Sequence, residues 1–166
     1  MESTEKELSI SLVLEAMVYP TEDTGRVMRA MKTIIPFNEE ADDVELESTE
    51  SSKLIRVRKE GHEALIKLRA SFRNNRVLDT ARSLLLGRRG ELRTLRFHKQ
   101  AAYVGKVRLC DEDEISPLGA ISLSIEYGGD AIILADWLTP RTEKGRPIGE
   151  VSTQMLLHGR RSYIDD

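Results

Sequence analysis

Apolar and polar residues alternate at the start of the chain. Every second residue from Leu8 to Val18 is apolar, and the run ends at Pro20. A period of two over this length predicts a β-strand with one buried face. The same alternation over shorter lengths predicts further strands at residues 44–47, 54–58, 92–98, 103–109 and 120–127.

Four other segments have apolar residues three and four positions apart, which is the spacing of a buried helical stripe. They are residues 22–35, 64–72, 77–85 and 131–138. The predicted order of elements is therefore β-α-β-β-α-α-β-β-β-α. Strands that follow one another in hairpins, with helices grouped between them, indicate an α+β fold with a mainly antiparallel sheet and helices packed on one face.

Both kinds of periodicity end near Pro140. We therefore expect residues 1–140 to form a single α+β domain. Residues 141–166 follow neither period, and we expect them to form a polar C-terminal tail that is disordered or docks on a partner.

Composition narrows the class of protein. The chain has 166 residues, and its one cysteine, Cys110, excludes an intrachain disulfide and thus a disulfide-framed secreted scaffold. It has no run of 18 apolar residues, and its acidic start lacks the features of a signal peptide. We expect a cytoplasmic protein with no membrane partner. The 32% of charged residues and the scarcity of glutamine favour a thermophilic source.

Charge is strongly segregated along the chain although the net charge is only −3. Residues 53–108, which we call the basic block, contain 16 Lys and Arg against four Asp and Glu, a net charge of +12. The flanks contain nine Lys and Arg against 24 Asp and Glu. A local positive charge of this size attracts phosphate polymers. The alternative is that acids from the flanks fold back and neutralise the block.

The predicted strands place most of the candidate cations on one face. If helices cover the apolar face of the sheet, the polar face carries five cations and a histidine. They are Arg56, Arg58, Arg96, His98, Lys106 and Arg108. Because aromatic residues make up only 5% of the chain, we expect such a surface to bind phosphates and RNA shape rather than to stack bases.

A basic loop follows the third predicted helix. It contains Arg88 and Arg89 between Gly87 and Gly90. Backbone amides in a glycine-flanked loop, together with two guanidinium groups, offer a phosphate site. The alternative is an ordinary solvated loop.

The sequence indicates no catalytic or metal centre. The motifs GxSxG, HExxH and GxGxxG are absent, and the three histidines lack the spacing of metal ligands. We therefore expect no cofactor and favour a non-catalytic protein. An enzyme acting on nucleotides or RNA would require a cleft that gathers Asp79, Lys99, and His98 or Tyr103.

Four blocks of sequence carry a resemblance to a known family. VLDTARSLLL (77–86), HKQAAYVGKV (98–107), SPLGAISLSIE (116–126) and DWLTPRT (136–142) occur in this order. Together they resemble an uncharacterised archaeal family from the RNA-binding group related to a predicted exosome subunit. The fold of that group is similar to that of the ribosomal protein that binds 5S rRNA.

The resemblance implies an α+β fold and a structured RNA, of ribosomal or RNA-processing origin, as partner. By matching position it implies RNA contacts at Arg76, Asp79, Arg82, Lys99, Gln100 and Arg141. Charge alone adds Arg56, Arg58, Arg88, Arg89, Arg96, Lys106 and Arg108.

Two hypotheses for function stay open at this point. In the first, the protein is a non-catalytic RNA-binding module, and its affinity falls with salt because bound Lys and Arg release counterions. In the second, it is a homodimeric interaction protein without a nucleic-acid ligand, in which the basic block of one copy docks on the acidic flanks of the other.

Overall fold

The computed structural model describes residues 6–111 and 119–159. Five strands form one sheet in the order β2-β3-β1-β5-β4, and every neighbouring pair is antiparallel. The strands are β1 (Ile10–Val18), β2 (Asp43–Ser48), β3 (Lys53–Glu60), β4 (Leu95–His98) and β5 (Ala120–Tyr127). The predicted α+β class with an antiparallel sheet is confirmed.

The described residues also contain six α-helices and a second, two-stranded sheet. The helices are α1 (Thr24–Ile34), α2 (Ile66–Asn74), α3 (Leu78–Leu85), α4 (Lys99–Tyr103), α5 (Ala131–Leu138) and α6 (Thr153–His158). A 3-10 turn, His62–Leu65, precedes α2. The short strands β6 (Arg141–Glu143) and β7 (Arg146–Ile148) form a hairpin. No helix in this part of the chain is long and apolar enough to cross a bilayer.

One hydrophobic core joins the sheet to the helices. Alternate residues of β1, from Ile10 to Val18, are buried, as the period of two predicts. They belong to one cluster with Phe72 of α2 and Trp137 of α5. Phe72 also stacks on Phe97 of β4, with ring centroids 6.5 Å apart. The residues between the buried positions of β1 lie on the other, open face of the sheet.

The predicted strand at residues 103–109 is wrong. The chain instead forms α4 and ends it with a turn in which Gly105 has a φ of +79°. Ala102 and Lys99 are buried by this helix, and Thr33 of α1 donates a hydrogen bond to the Ala102 carbonyl. Only Leu109 then makes a single bridge to Phe97. In this segment the burial of side chains on a short helix therefore decides the structure, and the weak alternation of apolar and polar residues does not.

The segment predicted as a polar tail contains regular structure from residue 141 to residue 158. Leu156 of α6 is fully buried, and its carbonyl accepts a hydrogen bond from the Tyr127 hydroxyl. The amide of Leu8 donates to the Leu157 carbonyl at 2.6 Å, so the two ends of the described chain are joined. The rest of the predicted tail, residues 160–166, and the first part of the block at 116–126 lie outside the described residues.

Candidate nucleic-acid interface

The open face of the sheet is acidic around β3. Arg56 lies opposite Glu15 of β1 and Glu45 of β2, and its guanidinium is 2.8 Å and 3.5 Å from their carboxylates. The hydrogen bond to Glu15 and the charge of that carboxylate raise the pKa of Arg56. Arg58 is 3.0 Å from Glu45 and 3.8 Å from Asp43. The predicted basic sheet face is therefore wrong at β3, because acids on both neighbouring strands are in register with the arginines.

The other cations predicted for this face lie at the opposite edge of the sheet. Two strands, β1 and β5, separate β4 from β3, which places Arg96 roughly 14 Å from Arg56 at ordinary strand spacing. Lys106 and Arg108 do not belong to a strand; they follow the turn after α4. The amide of His98 donates to the Arg108 carbonyl at 2.8 Å, so this segment runs beside β4. The six side chains thus form two separate groups.

Acids from the flanks neutralise part of the basic block. Seven of its 16 cations pair with acidic side chains from outside the block. They are Arg56, Arg58, Lys59, Arg69, Arg73, Arg82 and Lys99. Arg69 and Arg73, for example, both bind the carboxylate of Glu150. The alternative that acids from the flanks fold back and neutralise the basic block is therefore correct for these seven cations.

Eight further cations of the block form no ion pair with any residue in the described ranges. They are Lys53, Lys67, Arg76, Arg88, Arg89, Arg96, Lys106 and Arg108. All except Lys53 lie between α2 and the segment that follows α4. Positive charge is thus left in this part of the chain, on side chains that have no acidic partner among the described residues.

A groove of about 880 Å³ lies between α2, α3 and the segment after α4. Three exposed cations line it: Lys67, Lys106 and Arg108. The rest of the lining consists of five hydrogen-bonding side chains and of the apolar residues Val77, Ala101, Val107 and Leu109 with Gly105, and no acidic or aromatic side chain from the described residues lines it. These polar residues are Thr33, Ser71, Asn74, Asn75 and Thr80. We call this feature the basic groove.

Two local conformations shape the basic groove. On α2, Lys67, Ser71 and Asn74 are four and three residues apart, so one helical face points into the groove. The turn between α2 and α3 is closed by a hydrogen bond from Val77 N to the Phe72 carbonyl, with Arg76 at a φ of +56°. This reversal places the first turn of α3 beside the end of α2.

Lys99 cannot contact a nucleic acid, which corrects its assignment from the resemblance. Its side chain is fully buried, and its Nζ donates to Oε1 of Glu22 at 3.0 Å and to the Met17 carbonyl at 2.6 Å. The Tyr103 hydroxyl donates to the other oxygen of Glu22 at 2.6 Å. Burial lowers the pKa of Lys99, and burial opposes ionisation of Glu22. Hydrogen bonds from Tyr103, Tyr19 N and Lys99 outweigh that burial and hold the pKa of Glu22 below its ordinary value.

Asp79 and Arg82 hold the C-terminal segment against α3. Arg82 donates to Oδ1 of Asp136 at 2.8 Å and to the Thr139 carbonyl at 3.1 Å. The Thr142 hydroxyl donates to Oδ2 of Asp79 at 2.7 Å. Two of the blocks that carry the resemblance, 77–86 and 136–142, are therefore joined to each other. The side chains that the enzyme hypothesis requires do not share one cleft. Asp79 binds Thr142, whereas Lys99 and Tyr103 both bind Glu22.

The basic loop after α3 already holds an anion from its own chain. Oε2 of Glu91 accepts a hydrogen bond from the Arg89 amide at 3.0 Å, and the carboxylate lies against Gly87. The predicted backbone phosphate site is thus occupied by Glu91, while the side chains of Arg88 and Arg89 are exposed.

The remaining predicted contacts are exposed: Arg76, Arg96, Gln100 and Arg141. The prediction from sequence missed Lys67, Asn74, Asn75 and Thr80, which line the groove. The helical spacing of Lys67, Ser71 and Asn74 in the sequence indicates a shared polar face. Which other segments form the walls of the groove depends on tertiary packing.

Comparison with known proteins gives a family for most of the chain. A family model described as RNA binding matches residues 11–127, which include the whole basic groove. The UPF0201 protein of Sulfolobus acidocaldarius is 36% identical over 84% of this chain and 93% of its own length. The UPF0201 protein of Thermococcus kodakarensis is 39% identical over 86% of this chain and 98% of its own length. These hosts are thermophilic archaea, in keeping with the composition.

A solved structure supports the fold. The crystal structure of a UPF0201 protein from Methanococcus jannaschii has a TM-score of 0.66 and 25% identity, over 84% of this chain and 99% of that one. A second crystal structure of a UPF0201 protein has a TM-score of 0.59 and 26% identity. The implied relation to an exosome subunit and to the 5S rRNA-binding protein stays a prediction.

Proposed function

Because the chain belongs to the archaeal UPF0201 family, we propose that it is a non-catalytic RNA-binding module that holds the RNA backbone in the basic groove. The observation that carries this proposal is the composition of the groove walls. Three exposed cations line the groove without an acidic side chain from the described residues, although acids outnumber bases in the chain as a whole.

The chemistry of the groove favours phosphate and sugar groups as ligands. Lys67, Lys106 and Arg108 supply charge-assisted hydrogen bonds, which are stronger than neutral ones. Asn74 and Asn75 supply amide groups that can donate to phosphate or accept from a ribose hydroxyl. Without an aromatic side chain in its described walls, the groove offers no platform for stacking bases. Backbone and shape recognition follow from this set of groups.

A pair of matched lysine variants tests the proposal. Lys106 and Lys53 are both exposed, both belong to the basic block and neither forms an ion pair with a described residue, but only Lys106 lines the groove. Lys106→Glu and Lys53→Glu change the net charge equally. We expect Lys106→Glu to weaken binding of a fluorescent structured RNA by about tenfold, the loss of one charged hydrogen bond. Lys53→Glu should change the affinity by less than about twofold.

Two results would count against the groove. Equal weakening by both variants would mean that net charge, not the groove, governs binding. A wild-type protein that does not bind RNA, and whose dimer dissociates as salt increases in sedimentation, would support the homodimer hypothesis instead.

A further inference from the structure

The hairpin of β6 and β7 is a second exposed cationic element, and it lies outside the part of the chain matched by the RNA-binding family model. It carries Arg141, Lys144 and Arg146 against one acid, Glu143. All four are exposed, and none forms an ion pair with a residue in the described ranges. Lys144 and Gly145 at its tip have φ values of +52° and +80°. Positive φ at both central residues gives the turn whose twist matches that of paired strands, so the ribbon is well formed.

The strand register shows which face of the hairpin points outward. Thr142 donates its hydroxyl to Asp79 of α3, so the face that carries Thr142 lies on the helix. Arg141 is one position away and therefore lies on the other face. Arg146 pairs with Glu143 across the hairpin and shares that outward face. The two arginines thus share the outward face at diagonal positions, together with Ile148 and Glu143.

The hairpin and the basic groove meet at the first turn of α3. Asp79 of this turn binds the hairpin, and the next residue, Thr80, lines the groove. Arg76 is exposed in the turn just before α3. Arg82, one helical turn further on, anchors the chain leading into the hairpin through the Thr139 carbonyl. The first turn of α3 thus contacts the hairpin through one residue and lines the groove with the next.

We infer that the hairpin is a second RNA-binding element, which lies along the sugar–phosphate backbone of an RNA duplex held by the basic groove. This inference rests on the proposed function and adds the class of RNA. Neither the hairpin nor the described walls of the groove contain an aromatic side chain, so neither stacks the unpaired bases of a single strand. The wide, shallow minor groove of A-form RNA exposes ribose and phosphate to such a ribbon. Ile148, 43% exposed on the outward face, adds an apolar contact for ribose.

The test compares a 20-base-pair RNA duplex with a uridine strand of equal length. The full chain is used as wild type, Arg141→Glu/Arg146→Glu, Arg141→Lys/Arg146→Lys, Lys106→Glu and Lys53→Glu. We expect the charge-reversed hairpin to bind the duplex at least about tenfold more weakly, with wild-type thermal unfolding. The slope of log affinity against log salt should become shallower by about two, one for each lost phosphate contact. Arg141→Lys/Arg146→Lys should keep most of the affinity for the duplex, because it keeps both charges. The uridine strand should bind weakly to all five proteins.

The remaining outcomes overturn either this inference or the proposed function. If Lys106→Glu weakens duplex binding while the charge-reversed hairpin binds as wild type does, the hairpin is not an RNA contact and the groove remains one. If the hairpin variant loses affinity equally for the duplex and for the uridine strand, duplex recognition is wrong. If the wild type binds neither RNA, both the inference and the proposed function fail.

Discussion

Nζ of Lys99 lies 3.0 Å from Oε1 of Glu22, and the lysine side chain is completely buried. This ion pair links the first residue of α4 to Glu22, which lies two residues before α1. Its geometry explains why a residue inside the block 98–107, which carries the family resemblance, has no access to a ligand. Lys99 lies on the helix that precedes the turn leading to Lys106 and Arg108, two of the cations that line the basic groove.

Removal of Lys99 should therefore strongly destabilise the fold. Lys99→Met leaves the Glu22 carboxylate buried without its cation, and breaking a buried pair in this way costs about 3–5 kcal/mol. Urea unfolding of the variant measures the loss. The double variant Glu22→Gln/Lys99→Met should regain a large part of the stability, because no buried charge is left. Wild-type stability of Lys99→Met would show that the pair is unimportant.

Stability should fall in acid partly through Glu22. The pKa of Glu22 in the folded protein lies below its ordinary value of 4.5, because hydrogen bonds to its carboxylate outweigh burial. The unfolded state then binds the proton more readily, so the contribution of Glu22 is complete above about pH 4.5 and is lost as the pH falls through the folded pKa. Urea unfolding between pH 7 and pH 3 should show a smaller loss for Glu22→Gln than for wild type. Parallel curves would contradict the assignment.

Arg82 and Arg96 should respond to truncation in opposite ways. Arg82→Met leaves Asp136 and the Thr139 carbonyl without their donor, at a cost of about 1–3 kcal/mol in the free energy of unfolding. Arg96→Met should leave stability unchanged, since its side chain is exposed and forms no ion pair with a described residue.

RNA titrations well below the unfolding midpoint complete the Arg82 and Arg96 comparison. Arg82→Met, which affects RNA only by loosening the anchor of the hairpin, should weaken RNA binding less than Arg96→Met does. The reverse pattern would make Arg82 a direct contact.

Neutralising Glu91 should strengthen RNA binding. Its carboxylate accepts a hydrogen bond from the Arg89 amide and offsets the charge of the two exposed arginines in the loop. Because an exposed charge pair is worth up to about 1 kcal/mol, Glu91→Gln should tighten binding by about two- to fivefold. Titration at low salt is the sensitive measurement. An unchanged affinity would place this loop away from the RNA.

The α+β class follows from sequence because β1 alternates over nine residues and the helices have clear apolar stripes. The charge distribution of the folded molecule does not follow from sequence. The ion pair between Arg56 and Glu15 spans 41 residues, and it depends on which strands become neighbours. Arg69 and Glu150 are 81 residues apart, and Glu150 lies in a segment that has no period of its own.

The candidate site was predictable only in part, for the same reason. Lys106 and Arg108 stand out by charge, but a weak alternation puts them on a strand that does not form. Their position in the basic groove depends on the turn at Gly105 and on packing of α4 against α1. Neither the turn nor this packing can be predicted from the local pattern of apolar and polar residues.

The proposed function places RNA against the cations of the basic block that line the groove. Acetylation rates of individual lysines, measured by mass spectrometry with and without bound RNA duplex, test it without any substitution. We predict that RNA slows acetylation of Lys67 and Lys106 severalfold and leaves Lys53 and Lys59 unchanged. Protection of Lys53 and Lys59 with Lys67 and Lys106 still reactive would contradict RNA binding in the groove.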